Sequence, residues 1–196
     1  MGQETKRQHT AAADEAASTQ TIARTVAQTA TQTTEQTVEQ LIAQHLPQPV
    51  LDGLHRTISA SEQLHTGQLV LCIEASISPE EATRYSTPRD RALALFGELR
   101  VWDTEHNNGA MLYLLLDRHA IELIADRALY RSVAPTTWSH ITTQLAAALR
   151  AGQYESGLQA ALAHLSDLLV THFPACGQTP RDNTVADTPA LLRYTA

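Results

Sequence analysis

The chain has 196 residues, a formal net charge of −7 and two cysteines. That length gives one domain of ordinary size plus an appendage, and the acidic balance argues against a broad nucleic-acid surface. Cys72 sits in an apolar run and Cys176 in a Gly/Pro-rich tail, which excludes a disulfide framework. Membrane insertion is not expected either. No run approaches the roughly 20 apolar residues a spanning helix needs. The opening "MGQETKRQHTAAADEAAS" lacks the apolar core of a secretion signal, and Lys6 breaks the myristoylation pattern. A cytoplasmic, reducing location is the expectation.

Residues 1–45 read as a Thr/Gln/Ala-rich arm, disordered or loosely helical. Ile22, Val26, Val38, Leu41 and Ile42 could form a thin helical stripe, but it has gaps at Ala30 and Thr34. Its β-branched threonines lower helix propensity, and so little apolar surface does not offset ordering entropy. The functional alternative for the arm is a helix that pairs with a partner.

Residues 48–175 read as a globular α/β domain, and residues 176–196 as an extended tail. "PVLDGLHRTISASEQLH" puts Val50, Leu54 and Ile58 on one helical face, with Pro49 in the first turn. "GQLVLCIEA" is a buried strand and "SISPEEATRYSTPRD" a loop. "RDRALALFGELRVW" places Leu93, Phe96 and Leu99 at helical spacing. "AMLYLLL" and "AIELIA" are strands joined by "DRH", a hairpin. "PTTWSHITTQLAAALRAG" is a helix with Trp138, Ile141, Leu145 and Leu149 on one face, ended by Gly152. A last helix turns Leu158, Leu162, Leu165 and Leu169 inward. The tail from Pro174 shows no periodicity. The order helix, strand, helix, strand, strand, helix, helix predicts an α/β/α sandwich around a small mixed sheet, from a strand–helix–strand crossover plus a hairpin.

Element order alone sorts polar residues to the two ends of that sheet. Asp103, Glu105, Asn107, Asn108 and Gly109 precede the first hairpin strand, and Asp126 and Arg127 follow the second. They fall on one edge together with Thr66, Gly67 and Gln68, because a crossover makes strand 68–74 parallel to 110–116. Glu74 and Asp117 fall on the opposite edge. Carboxylate and carboxamide oxygens gathered in this way suit a hard divalent cation. The plain alternative is turn chemistry, with Asn-Gly supplying a positive φ. Open doubly wound sheets usually bind ligands at the carboxyl ends of their strands, which favours the Glu74/Asp117 edge. Both edges stand as candidates on the sequence.

Residues 52–190 resemble the TPM domain family. "RALALFGELRVWDTEHNNGAMLYLLLDRHAIELIADRAL" is similar to its central part and "SASEQLHTGQLVLCIEA" to its opening. "LRAGQYESGLQAAL" resembles its helix junction, and "HFP" with "DNTVADTP" its closing motifs. The resemblance implies an α/β/α sandwich. For function it implies acid phosphatases, calcium binders, or accessory proteins of membrane complexes, and a likeness to soluble bacterial members. It carries polar positions onto Thr66, Gly67, Asn108, Gly109 and Asp126, and a tail motif onto His172, Asn183 and Asp187. This chain departs from the pattern with Gln68 in place of a glutamate, which removes an anionic oxygen, and with Thr184, Val185 and Ala186 in place of Glu-Leu-Pro.

Enzyme signatures are weak. Cys176 and Arg181 are one residue too close for a cysteine-phosphatase loop, and no D-x-D opening follows a strand. Asp103 to His106 hold an acid and a base near each other, an arrangement common in loops. His172 suits helix-end capping or core packing better than proton transfer. Arg118, Arg127 and Arg131 could bind anions or simply balance an acidic surface. The reading reached is a non-enzymatic module that binds a protein partner, membrane-associated in one version, and Ca2+ or Mg2+ through Asp103, Asn108 and Asp126. Thr66, Gly67, Gln68, Asn107, Gly109 and Arg127 line the same edge. The competing reading is a metal-dependent phosphatase with Asp103 and Asp126 as ligands.

Overall fold

Proline in the first turn and apolar residues four apart start the domain. Helix α1, Gln48–Glu62, carries proline at its start and buries Leu54 and Ile58 completely. The structure, a computed structural model, describes residues 39–175 and 190–192. Residues 39–45 are helical, and Ile42 and Leu46 are buried. The stripe proposed farther upstream, at Ile22, Val26 and Val38, lies outside the described residues.

Strands β1 (Leu69–Glu74) and β2 (Ala110–Leu115) are buried at every position. They read as continuous apolar runs because helices cover both faces of the sheet. They pair in parallel, Leu69 opposite Ala110, and β2 pairs antiparallel with β3 (Ala120–Ala125), Ala110 opposite Ala125. A fourth strand, β4 (Ala190–Leu192), runs parallel to β1 over Cys72–Glu74, giving the order β3-β2-β1-β4. That strand lies in the stretch of tail read as extended and without periodicity. Three residues are too few to show a pattern.

Two further short elements differ from the expectation. The segment after β1 is not all loop: α2 (Pro79–Arg84) forms where Ser78 and Glu81 close a capping box ahead of Pro79. The hairpin leads into α4 (Arg127–Ser132), which buries Leu129. Between these, α3 (Pro88–Glu98) is capped by Thr87 and Asp90 and buries Arg91, Ala92, Leu95 and Phe96. Of the expected stripe, Phe96 is buried and Leu99 packs against the core, while Leu93 is 49% exposed and Ala92 and Leu95 face inward. Arg91, on the same inward side, forms an ion pair with buried Glu74. Helices α5 (Pro135–Arg150) and α6 (Tyr154–His172) form an antiparallel pair across a turn in which Gly152 has φ +75°. Leu158, Leu162, Leu165 and Leu169 of α6 are fully buried, as their spacing predicts.

Side-chain alternation divides the strands between two helical layers. Val70, Cys72, Met111, Tyr113, Leu115 and Ile124 share one cluster with Ala92, Leu95 and Phe96 of α3. The intervening residues face the layer of α1, α5 and α6. The α/β/α sandwich expected from element order is the observed architecture. No helix among the described residues is long and apolar enough to cross a membrane.

Candidate functional site

One step beyond the Leu69–Ala110–Ala125 row lie Gln68, Gly109 and Asp126. Two backbone bonds stitch them across three strands: Ala110 N donates to Gln68 O at 2.8 Å, and Asp126 N to Gly109 O at 2.8 Å. The hairpin register thus brings Asn108 and Asp126 to one edge, as element order requires. The α1–β1 connection joins them, with Asn108 Nδ2 donating to Thr66 Oγ1 at 3.1 Å. Thr66 N donates in turn to Phe173 O at 2.7 Å, and Ala175 N to Leu64 O at 3.0 Å, so the "HFP" segment packs against the same edge. His172 itself is exposed, which removes the core-packing account of it.

Both glycines of the edge are there for space. A Cβ on Gly109 would stand 2.0 Å from Val101 O, and one on Gly67 would stand 2.7 Å from Asn108 O and 2.3 Å from Leu169 Cδ2. The positive φ attributed to the Asn-Gly pair falls instead on Asn107, at 51°. Asn107 O accepts from Ala128 N at 3.0 Å, which ties α4 to the loop, while its side chain faces solvent.

The electrostatics of the edge centre on two oxygens. Asn108 is fully buried, and its Oδ1 has no hydrogen-bond partner among the described residues. Asp126 uses Oδ1 to cap α4, accepting from Arg127 N at 2.6 Å, while its buried Oδ2 has no partner among the described residues. Arg127 is exposed. Asp103 is occupied elsewhere, in an ion pair with Arg100 at 2.5 Å. Among the described residues no group of three or more His, Cys, Asp or Glu side chains is arranged to hold a metal.

Sequence reasoning missed two residues here. Glu62, at the end of α1, accepts from Gln68 Nε2 at 2.5 Å and from Leu69 N at 3.2 Å. It brings a carboxylate to the position where Gln68 seemed to have lost one, six residues away and without periodicity to announce it. Thr104 Oγ1 accepts from Asn108 N at 3.0 Å. A Thr four residues ahead of an Asn in a turn is a readable sign of such a bond.

The opposite edge is committed to structure. Glu74, 3% exposed, accepts from Arg91 Nη2 at 2.7 Å, from Arg91 Nε at 3.1 Å and from Tyr113 Oη at 2.6 Å. Burial works against the Arg91 guanidinium, but Glu74, Glu81 and Glu98 more than offset it and hold it charged. Burial, with the Glu74 hydrogen bond, pushes the Tyr113 phenol up. The Cys72 thiol is pushed up to about 12, mainly by burial and next by Glu74. Asp117 has one buried oxygen without a partner, and burial raises its carboxyl above the usual range. With Glu74 engaged, that edge has one buried oxygen without a partner among the described residues, Asp117 Oδ1, against Asn108 Oδ1 and Asp126 Oδ2 at the other.

The profile of the TPM domain matches residues 31–168. The chain belongs to the TPM domain family. No curated protein matches it. Among solved structures, the NMR structure of BA42 protein from the psychrophilic bacterium Bizionia argentinensis is similar in fold. Its TM-score is 0.63 at 17% identity, over 73% of this chain and 92% of that one. In this TPM domain the opening turn, the Asn108–Gly109 entry to the hairpin and the "HFP" closing segment therefore meet at one place. The remaining tail positions, Asn183 and Asp187, lie outside the described residues.

Proposed function

We propose that this TPM domain is a non-enzymatic binding module that takes a divalent cation, Ca2+ or Mg2+, at the Asn108/Asp126 edge and engages a protein partner. The observation that carries this reading is the pair of buried, unpartnered oxygens, Asn108 Oδ1 and Asp126 Oδ2. A buried acceptor left without a partner costs about 1–3 kcal/mol, so a ligand that satisfies both is favoured. A carboxamide oxygen, a carboxylate oxygen and nearby backbone carbonyls form the hard donor set such cations prefer. The donors supplied by the chain are few. This fits an ion that keeps several waters, as Mg2+ does, or a weak Ca2+ site completed by water. Asp103 joins as a further ligand only by leaving Arg100, and an exposed ion pair of that kind holds weakly.

The test is a melting titration. Because the ion binds the folded state, saturation to one hundred times Kd is expected to stabilise by about 2.7 kcal/mol, raising Tm by roughly 5–10 °C. Asp126→Asn keeps an oxygen to cap α4 and should fold, yet lose most of the shift. No movement of Tm at millimolar Ca2+, Mg2+ or Mn2+ would sink the cation reading. In parallel, p-nitrophenyl phosphate is expected to survive incubation with protein and any of these ions. Turnover abolished by chelator and by Asp126→Asn would replace the non-enzymatic reading with a phosphatase.

A further inference from the structure

We propose that the Asn108/Asp126 end of the domain docks on an anionic phospholipid bilayer, with the bound cation bridging protein and headgroups. This rests on the cation reading above and goes beyond it. Four large hydrophobic side chains are exposed among the described residues: Leu64, Leu93, Trp102 and Tyr130. Three of them stand at this one end. Leu64 O accepts from Ala175 N, two residues ahead of the Thr66 hydroxyl that accepts from Asn108 Nδ2. Trp102 follows Val101, whose carbonyl closes on Gly109, and its own O accepts from Thr104 N. Tyr130 is one helical turn from Asp126, its N donating to Asp126 O at 2.8 Å.

The residue types fit a bilayer surface. Tryptophan and tyrosine join an apolar ring to a polar edge and settle at the headgroup level, and a superficial contact of this kind needs no spanning helix. The Tyr130 ring is already stacked on Trp138, centroids 6.4 Å apart, so it loses little freedom on contact.

Charge selects the headgroups and makes the cation a requirement. Segments 62–68, 100–109, 126–131 and 172–175 hold the arginines Arg100, Arg127 and Arg131 and the carboxylates Glu62, Asp103, Glu105 and Asp126. With its histidines neutral, this end is slightly negative, and one divalent cation turns it positive. The chain's formal charge of −7 opposes an anionic surface, but charges farther away than about 8 Å are largely screened at physiological ionic strength. The local sign therefore decides. An ion with few protein donors keeps coordination positions for outside oxygens, and headgroup phosphate and carboxylate are the hard donors it prefers.

Flotation with vesicles tests this, using the full chain and whichever of Ca2+ or Mg2+ raises Tm. On phosphatidylcholine vesicles carrying about 30% phosphatidylserine, the bound fraction with the ion should be at least fivefold that in EDTA. Phosphatidylcholine alone should retain little. Leu64→Gln/Trp102→Gln should bind vesicles at least tenfold more weakly yet keep the full Tm shift, and Tyr130→Ser should bind several-fold more weakly. Leu93→Gln, at the fourth exposed side chain, should bind like the wild type. A Tm shift without vesicle binding would overturn the bilayer and leave the cation reading in place, whereas no Tm shift and no ion-dependent binding would end both. Equal binding in EDTA, or wild-type binding by the double variant, would also overturn the proposal. So would full displacement by soluble polyglutamate, which would reassign this end to an acidic protein.

Discussion

Replacing Arg91 by alanine is expected to cost about 3–5 kcal/mol and to lower Tm by roughly 10–15 °C. Glu74 is buried at the end of β1 and, among the described residues, takes its side-chain hydrogen bonds from Arg91 and Tyr113. Removing the guanidinium leaves that carboxylate in a low-dielectric interior with one phenol for company, and Glu81 and Glu98 lose their shared partner as well. The same argument sets the control. Changing Arg91 to methionine together with Glu74 to leucine removes both charges, and should cost much less than the sum of the single changes. Urea unfolding of the wild type, Arg91→Ala, the two single changes and the double variant gives the answer. A loss below 1 kcal/mol for Arg91→Ala would mean that the pair only decorates a core held by other contacts.

The second large effect is expected at Gly109. Its added Cβ would stand 2.0 Å from Val101 O, and a carbonyl of the main chain cannot swing aside as a side chain can. Gly109→Ala should therefore force the β2 entry away from the Val101 loop, at about 3 kcal/mol. It should also abolish any cation response, because Gly109 O holds Asp126 N in place. Gly97 is the internal comparison. It lies in α3 with nothing within 4 Å of its Cβ position, so Gly97→Ala should stabilise by up to about 1 kcal/mol. If both substitutions behave alike in urea, steric exclusion at the edge is not what selects Gly109.

Which parts of this molecule the sequence could reveal follows from the range of the interactions involved. The β2–β3 hairpin was legible because two apolar runs are separated by three residues, so their pairing hardly depends on anything distant. Leu158, Leu162, Leu165 and Leu169 mark the inner side of α6 by local spacing alone. The near edge followed from element order, since parallel β1–β2 pairing and an antiparallel hairpin fix which strand ends meet. The inward placement of Arg91 on α3 was not legible, because its partner Glu74 lies seventeen residues earlier in the chain. For β4 the partner strand lies more than a hundred residues away. Helices α2 and α4 each span six residues, less than two turns, too short for periodicity to register. At the candidate site, topology alone brought Asn108, Asp126, Thr66 and the two glycines to one edge. Glu62 was missed because its role depends on where α1 stops. The Asn-Gly pair was identified correctly as special but for the wrong residue: Asn107 takes the left-handed backbone and Gly109 supplies the space.

The cation site proposed at the β1–β2–β3 entry rests on two buried oxygens, Asn108 Oδ1 and Asp126 Oδ2, that have no partner among the described residues. Backbone amide NMR during a Ca2+ or Mg2+ titration tests it most directly, since it reports both binding and place. Saturable shifts are expected at Thr66 to Leu69, Asn107 to Ala110 and Ala125 to Ala128, and they should disappear in Asp126→Asn. A spectrum that does not move, or shifts centred on the Glu74 and Asp117 edge instead, would contradict the proposal.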